Sequence, residues 1–259
     1  AFFNPAVTNF CATRNMAPQQ SDGFVELTGD DNSDMAFGWN VGALYEIGDA
    51  TRLGFAYRSA MEHTLKGKAD FSLPANALEL TQSGVFVDSK ISAEVTFPQS
   101  ASLSLINQFN DKIALMGDVT WTDWSVFDEL RITYANPLQP DSVTTEEWVD
   151  SYRVALGLNY QVNDRWMIRS GLAVDQTPVP NAQRRTPRVP DQTRRWLSIG
   201  ASLQLKENLS IDMGYSHLFI TDADVNNTFE SSVPTLAADF RGSYEATVDI
   251  FSAQLRWSL

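Results

Sequence analysis

Sulfur and imidazole chemistry are almost absent from this chain. The single Cys11 excludes an internal disulfide and a cysteine-rich metal site. His63 and His217 are the only histidines, and neither stands beside a second ligand or a matching Ser or Asp partner. No metal or cofactor is therefore expected. Nucleophile elbows and phosphate loops are missing too, so nothing indicates an enzyme. Positive charge is scarce, with 19 Lys and Arg against 32 Asp and Glu and a net charge of −13. That balance argues against a nucleic-acid partner, whose backbone needs a cationic face. No run approaches 18 consecutive apolar residues, which rules out a transmembrane helix. Also missing are an initiating Met and a basic-then-apolar leader, the state of a mature product or a fragment.

What the chain does have is alternation, in a composition of 14 Gly, 15 Phe, 7 Trp and 7 Tyr that suits strands and turns. In "YRVALGLNYQV", Tyr152, Val154, Leu156, Leu158 and Tyr160 oppose Arg153, Ala155, Gly157, Asn159 and Gln161. "RWMIRSGLAV" sets Trp166, Ile168, Leu172 and Val174 against Arg165, Met167, Arg169, Gly171 and Ala173. "RLGFAYR", "KIALMGDVTW" and "FSAQLRWSL" repeat the pattern. Period two over ten residues is a long strand with one apolar and one polar face.

Two architectures give that pattern. A soluble sandwich buries the apolar face, but its strands average about 5–6 residues. A membrane barrel turns the apolar face to lipid and needs about 9–11 residues per crossing. Strand length favours the barrel, as do the aromatics near strand ends, among them Trp39, Tyr57, Trp121, Trp124, Tyr152 and Trp166. Strands are expected at 36–47, 51–62, 98–109, 112–124, 149–162, 165–175, 194–205, 208–220 and 247–259. The connectors then alternate: "GDA", "ND", "ND" and "KEN" are short, while 63–97, 125–148, 176–193 and 221–246 are long. Outer-membrane barrels sort their connections this way, short on the periplasmic side and long outside. A sandwich has no reason to. The expected fold is thus all-β, an antiparallel transmembrane β-barrel.

The connector 176–193, with Pro178, Pro180, Pro187 and Pro190, is then a stiff extracellular loop. Arg184, Arg185, Arg188, Arg194 and Arg195 either face lipopolysaccharide or an incoming anion, or satisfy loop carbonyls and Asp191.

The blocks "GWNVGALYEI", "TRLGFAYRS", "LKGKADF", "DVTWTDWSVFDEL", "YRVALGLNYQVND", "RSGLAVDQTPVP" and "RVPDQTRRWLSIG" carry a resemblance. In this order, over residues 30–259, they resemble the FadL/TodX (OmpP1) outer-membrane transporters. The resemblance implies a barrel of 14 strands with an N-terminal hatch. It also implies passive uptake of long-chain fatty acids or other hydrophobic small molecules such as aromatic hydrocarbons, with no cofactor. Implied partners are that substrate, outer-membrane lipid and lipopolysaccharide, and the barrel-assembly machinery, which would read the C-terminal "FSAQLRWSL". The alternative is a structural or adhesion barrel whose long loops bind a partner.

Against that family the chain is short. The first and last of the nine expected strands run the same way, so they cannot close an antiparallel barrel. The expectation is a C-terminal portion, residues 36–259, forming a curved open sheet whose ends do not pair. Residues 1–35 are read as an irregular segment, with "AFFNPA" either a hatch motif or a chance match and the segment either a hatch remnant or an extracellular loop.

For the ligand, a carboxylate in a low-dielectric lumen needs a cation and apolar walls. Arg131, which matches a basic residue in the family's corresponding block, is the candidate cation, with Trp121, Trp124 and Phe127 beside it. The other reading pairs Arg131 with Asp128 or Glu129 on a wet rim. Asp118, Arg153, Arg169 and Arg256 are expected to line the lumen; the first three form either a salt-bridge ladder or a polar permeation path. His217 falls on the apolar face of its strand near the outer end, an interfacial aromatic place.

Overall fold

A computed structural model describes residues 24–29, 35–73, 81–229 and 238–258. Among them every regular element except short 3₁₀ turns is a strand. In chain order these are β1 (Phe24–Gly29), β2 (Asn40–Ile47), β3 (Thr51–Arg58), β4 (Met61–Ser72), β5 (Ser89–Phe97), β6 (Ser100–Asn110), β7 (Ile113–Thr122) and β8 (Glu129–Tyr134). There follow β9 (Ser142–Thr145), β10 (Ser151–Gln161), β11 (Trp166–Asp175), β12 (Arg194–Lys206), β13 (Leu209–Ile220), β14 (Ala223–Phe229), β15 (Ala238–Tyr244) and β16 (Thr247–Trp257).

Nine of these build one antiparallel wall in the order β16-β13-β12-β11-β10-β7-β6-β3-β2. They are the nine strands the alternation predicts, and their ends differ from the expected ones by four residues at most. The wall curves as a partial barrel and is open. β2 and β16 are its edges among the described residues, and β1 pairs with β4 instead of β16.

Local chemistry explains the short turns. In the two "ND" turns an Asn side chain replaces a ladder partner. Asn110 Oδ1 accepts from the Lys112 and Ile113 amides at 2.9 and 3.0 Å. Asn163 Oδ1 accepts from the Arg165 and Trp166 amides at 3.0 and 3.1 Å. This is the local capture at which Asn excels. The "GDA" turn uses Gly48 at φ +61°, a left-handed conformation that glycine adopts without penalty.

The faces are inverted relative to a water-soluble sheet. On β11, Ile168 and Leu172 are 49% and 59% exposed, while Met167, Arg169, Gly171 and Ala173 are partly sheltered on the concave side. Leu156 on β10, Ile199 on β12 and Phe251 on β16 are exposed as well. Among the described residues no large side chain is fully buried. Such a wall has no conventional hydrophobic core, and only hydrocarbon outside it gives the apolar face a favourable surrounding.

The long connectors need one correction. Three of them are not plain loops. The segment 59–99 carries β4 and β5, 123–150 carries β8, β9 and a 3₁₀ turn at Trp124–Val126, and 221–246 carries the β14–β15 hairpin. β1, β4, β5, β8 and β9 join in a second antiparallel sheet beyond the wall. β1 lies in the segment read as irregular, whereas the "NPA" box lies outside the described residues. Only 176–193 is free of strands.

Candidate functional site

Pairing registers stack the inner face of the wall into rungs. Arg153, Asp175, Arg194 and Ile220 form the rung nearest the long connectors. Ala155, Ala173, Trp196, Leu218 and Val248 come next, followed by Gly157, Gly171, Ser198, Ser216 and Ile250. Below them lie Asn159, Arg169, Gly200, Gly214 and Ser252. Because these lower rungs carry so little side chain, they hollow the wall. A cavity of about 630 Å³ opens there over Gly171, Ser198, Gly200, Gly214 and Ser252, with Arg169 and Asp212 at its lower side. A β-carbon at Gly157 would come 3.1 Å from Met116 Cε, so a larger residue there would crowd the floor. A second hollow of about 380 Å³ lies over Gly54 and Ser104, walled by Leu44, Ile106 and Met116.

All four predicted lumen residues face this concave side, but they do not form one ladder. Arg169 and Arg256 share Asp212, donating from Nη1 at 3.0 Å and Nη2 at 3.4 Å. Ser202 Oγ also donates to Asp212. Among the described residues Asp118 has no arginine partner; it accepts from Ser104 Oγ at 2.6 Å and Thr120 Oγ1 at 3.1 Å. Arg153 joins neither group and holds its guanidinium 5.8 Å above the Trp196 ring. The hub, Asp212, is visible in the sequence as a charge on the polar face of "SIDMGYS". Its two arginines are not legible there as its partners, because register across β11, β12, β13 and β16 selects them.

The four residues expected to bind ligand are dispersed. Trp121 follows Val119 and Leu115 on the outer face, and its indole N–H donates to Asp150 at 2.8 Å, an interfacial anchor. Trp124 and Phe127 instead pack edge-on against Trp148, with centroids 5.0 and 4.9 Å apart. Arg131 sits on β8 in the second sheet and is engaged by Glu129 at 2.6 Å and Asp141 at 3.1 Å. Those two hydrogen bonds, Glu129 first, raise its pKa above the ordinary arginine value. Spacing by two on one strand face places Glu129 beside Arg131, so the wet-rim pairing is the arrangement found.

The arginine-rich connector is equally occupied. Arg185 is 4% exposed and donates to the carbonyls of Asp191 at 2.9 Å and Asp224 at 2.5 Å. Its burial lowers the guanidinium pKa. Arg184 pairs with Glu147 at 2.7 Å, and Arg194 reaches Asp175 and Asp191, each at 3.4 Å. Backbone bonds tie the same loop to its neighbours: Val149 N–H donates to Pro178 O at 2.9 Å and Asn226 N–H to Ala182 O at 2.8 Å. Arg184, Arg185 and the Nη2 end of Arg194 thus hold the connector together, while Arg194 Nε has no hydrogen-bond partner among the described residues. Arg188 lies near the buried Glu146, whose carboxyl burial pushes above the usual range although the Trp148 indole donates to it at 3.0 Å. Arg195 points to the outer face beside Val174 and Phe219.

His217 does have an acid partner. Asp249 lies opposite it in register on β16, with His217 Nδ1 and Asp249 Oδ1 2.7 Å apart, and Tyr215 Oη donates to the same oxygen at 2.7 Å. The cluster faces outward, whereas Ser216 points inward to Ser198 at 2.8 Å, so no serine nucleophile meets the histidine there. Among the described residues no three His, Cys, Asp or Glu side chains converge to hold a metal ion.

Known proteins share this fold and about a third of the sequence. The family model described as outer membrane protein transport protein (OMPP1/FadL/TodX) matches residues 3–259. The long-chain fatty acid transport protein of Escherichia coli strain K12 is 32% identical over 203 residues, which is 73% of this chain and 43% of that protein. Among solved structures, a Pseudomonas aeruginosa FadL homologue superposes with a TM-score of 0.75 at 29% identity, covering 85% of this chain and 52% of the other. The Ralstonia pickettii toluene transporter TbuX shares the fold, with a TM-score of 0.57 at 17% identity over 91% of this chain and 50% of that one. The chain spans about half the length of the curated relatives it matches.

Proposed function

The chain belongs to the outer membrane transport protein family OMPP1/FadL/TodX, and from that premise we propose that its wall guides a long-chain amphiphile or other hydrophobic small molecule passively through the bacterial outer membrane. Family members are transporters and channels of the outer membrane, not enzymes. The observation that carries the reading is the hollowed inner face. Glycine and serine rungs leave a cavity of about 630 Å³, within the size range of small-molecule sites. The hydrogen-bonded charge network on Asp212 borders its lower side. An apolar chain can slide over such a floor, since little side chain obstructs it. A fatty acid is favoured over an uncharged arene by Arg153 at the upper rung, a cation with no carboxylate partner among the described residues.

Mass spectrometry of lipids that co-purify with the full-length protein from the outer membrane tests this. Enriched free fatty acids or alkyl hydrocarbons, displaced by added fatty acid, are the expected outcome. Co-purification of no hydrophobe, together with unchanged uptake in a deletion strain, would favour an adhesion barrel instead.

A further inference from the structure

We propose that Arg153, Arg194 and Trp196 form the head-group station of the inner wall, a site for the carboxylate of a long-chain fatty acid at its extracellular mouth. The proposal deepens the transport reading and rests on it. Three observations converge on these residues. Arg194 Nε and Trp196 Nε1 are buried N–H donors that have no hydrogen-bond partner. Buried donors without an acceptor are rare and unfavourable, so an acceptor belongs beside them when the protein is at work. Arg153 lies against the same indole, 5.8 Å above its ring, and makes no hydrogen bond or ion pair of its own among the described residues. The acidic groups close by are committed to the far end of the Arg194 guanidinium, its Nη2, and not to Arg153. Asp175, opposite Arg153 in register, and Asp191 both meet Arg194 Nη2 at 3.4 Å. Asp191 also accepts from Thr177 Oγ1 at 2.6 Å. Arg153 is thus the cation left for an incoming anion, held in place by the aromatic face.

What lies below suits the rest of the molecule. One rung down the inner face turns apolar at Ala155, Ala173 and Leu218, and on the next rung Gly171 opens into the cavity. A carboxylate at Arg153 and the two orphan donors would lay its alkyl chain along this descent. An arene such as toluene offers those N–H groups no acceptor and gains nothing from the station. A site equipped with hydrogen-bond donors discriminates sharply against a ligand that leaves them unmatched.

Equilibrium binding to the folded full-length protein in detergent distinguishes the possibilities, using a long-chain fatty acid, the matching fatty alcohol and toluene. Arg153→Gln should weaken the acid about tenfold or more, as expected for the loss of a charge-assisted hydrogen bond. The alcohol and toluene should stay within about twofold of wild type. Trp196→Phe, which keeps a ring and removes the N–H, should weaken the acid in the same sense, and Arg153→Lys should restore part of the loss. Unchanged acid affinity in both Arg153→Gln and Trp196→Phe overturns the station, as does an equal loss of acid and alcohol. Should wild type bind none of the three, the transport reading itself fails, a result distinct from either of those.

Discussion

Strands β4 and β11 alternate with the same period and face opposite ways. On β4, Gly67 and Ala69 are buried, Ala69 completely, while Glu62, Lys68 and Asp70 are exposed. On β11 the exposed residues are Ile168, Leu172 and Val174, and the partly sheltered ones include Arg169 and Asp175. β4 belongs to the five-stranded sheet beyond the membrane and obeys the water rule; β11 belongs to the wall and obeys the lipid rule. A two-residue period announces a strand in either case. It does not say which face is inside, because that depends on whether water or hydrocarbon lies beyond the sheet.

The contrast breaks most readily on the wall. Leu156→Arg places a charge on the lipid face and should cost about 2–4 kcal/mol near mid-membrane. Asn159→Arg, three residues on and facing the lumen, should be far milder. The heat-modifiable folded fraction on gels reads the difference, and equal loss from both would remove the inversion. Next is the keystone of the connector. Arg185→Met removes the buried donor of two backbone carbonyls, Asp191 and Asp224, and should cost about 1–3 kcal/mol locally. The expected sign is protease nicking within 176–193 with normal insertion of the wall. Third, Ala69→Leu overpacks the buried face of β4 and should cost about 1–3 kcal/mol. Its damage should be confined to the outer sheet, seen as faster hydrogen exchange in β4 and β5 but not in β11. If β11 exchange rises equally, the two regions are one cooperative unit.

Glu146 gives a smaller effect with a definite sign. Burial raises its folded pKa above the unfolded value, so the folded state binds the extra proton. The segment should therefore tighten as pH falls through the raised value towards the ordinary carboxylate range. Exchange of the Glu146, Glu147 and Val149 amides, all hydrogen-bonded to neighbouring carbonyls, should slow over that window. Glu146→Gln should abolish the dependence. Smallest of all is Arg131→Ala, which should leave fatty-acid affinity unchanged, since two exposed carboxylates already engage the guanidinium.

Much of the wall is legible in the sequence. Its nine strands stand out because each apolar face is continuous over eight residues or more, and the Asn turns between them are local events. The outer sheet is not legible in the same way. β4 alternates too, but its inward positions are filled by Gly67 and Ala69, and charged neighbours make the segment read as a loop. The candidate site is half legible. Alternation places Arg153 and Arg169 on the lumen side, whereas Arg131 stands out by its match to a basic residue of the family's block and its place after Trp121 and Trp124. Neither decides between a ligand and the carboxylates of Glu129 and Asp141.

Within the wall, a few neighbouring residues are enough to settle where strands run, where they turn, and that each has one apolar and one polar face. Local sterics and hydrogen bonds set these, so they can be read along the chain. Who meets whom across the sheet is a different matter, fixed by the folded wall. Arg169 finds Asp212 at a separation of 43 residues, His217 finds Asp249 at 32, and Arg185 finds the Asp224 carbonyl at 39. Strand order and register select each of these contacts. A slip of one residue would send the same side chains to the opposite face.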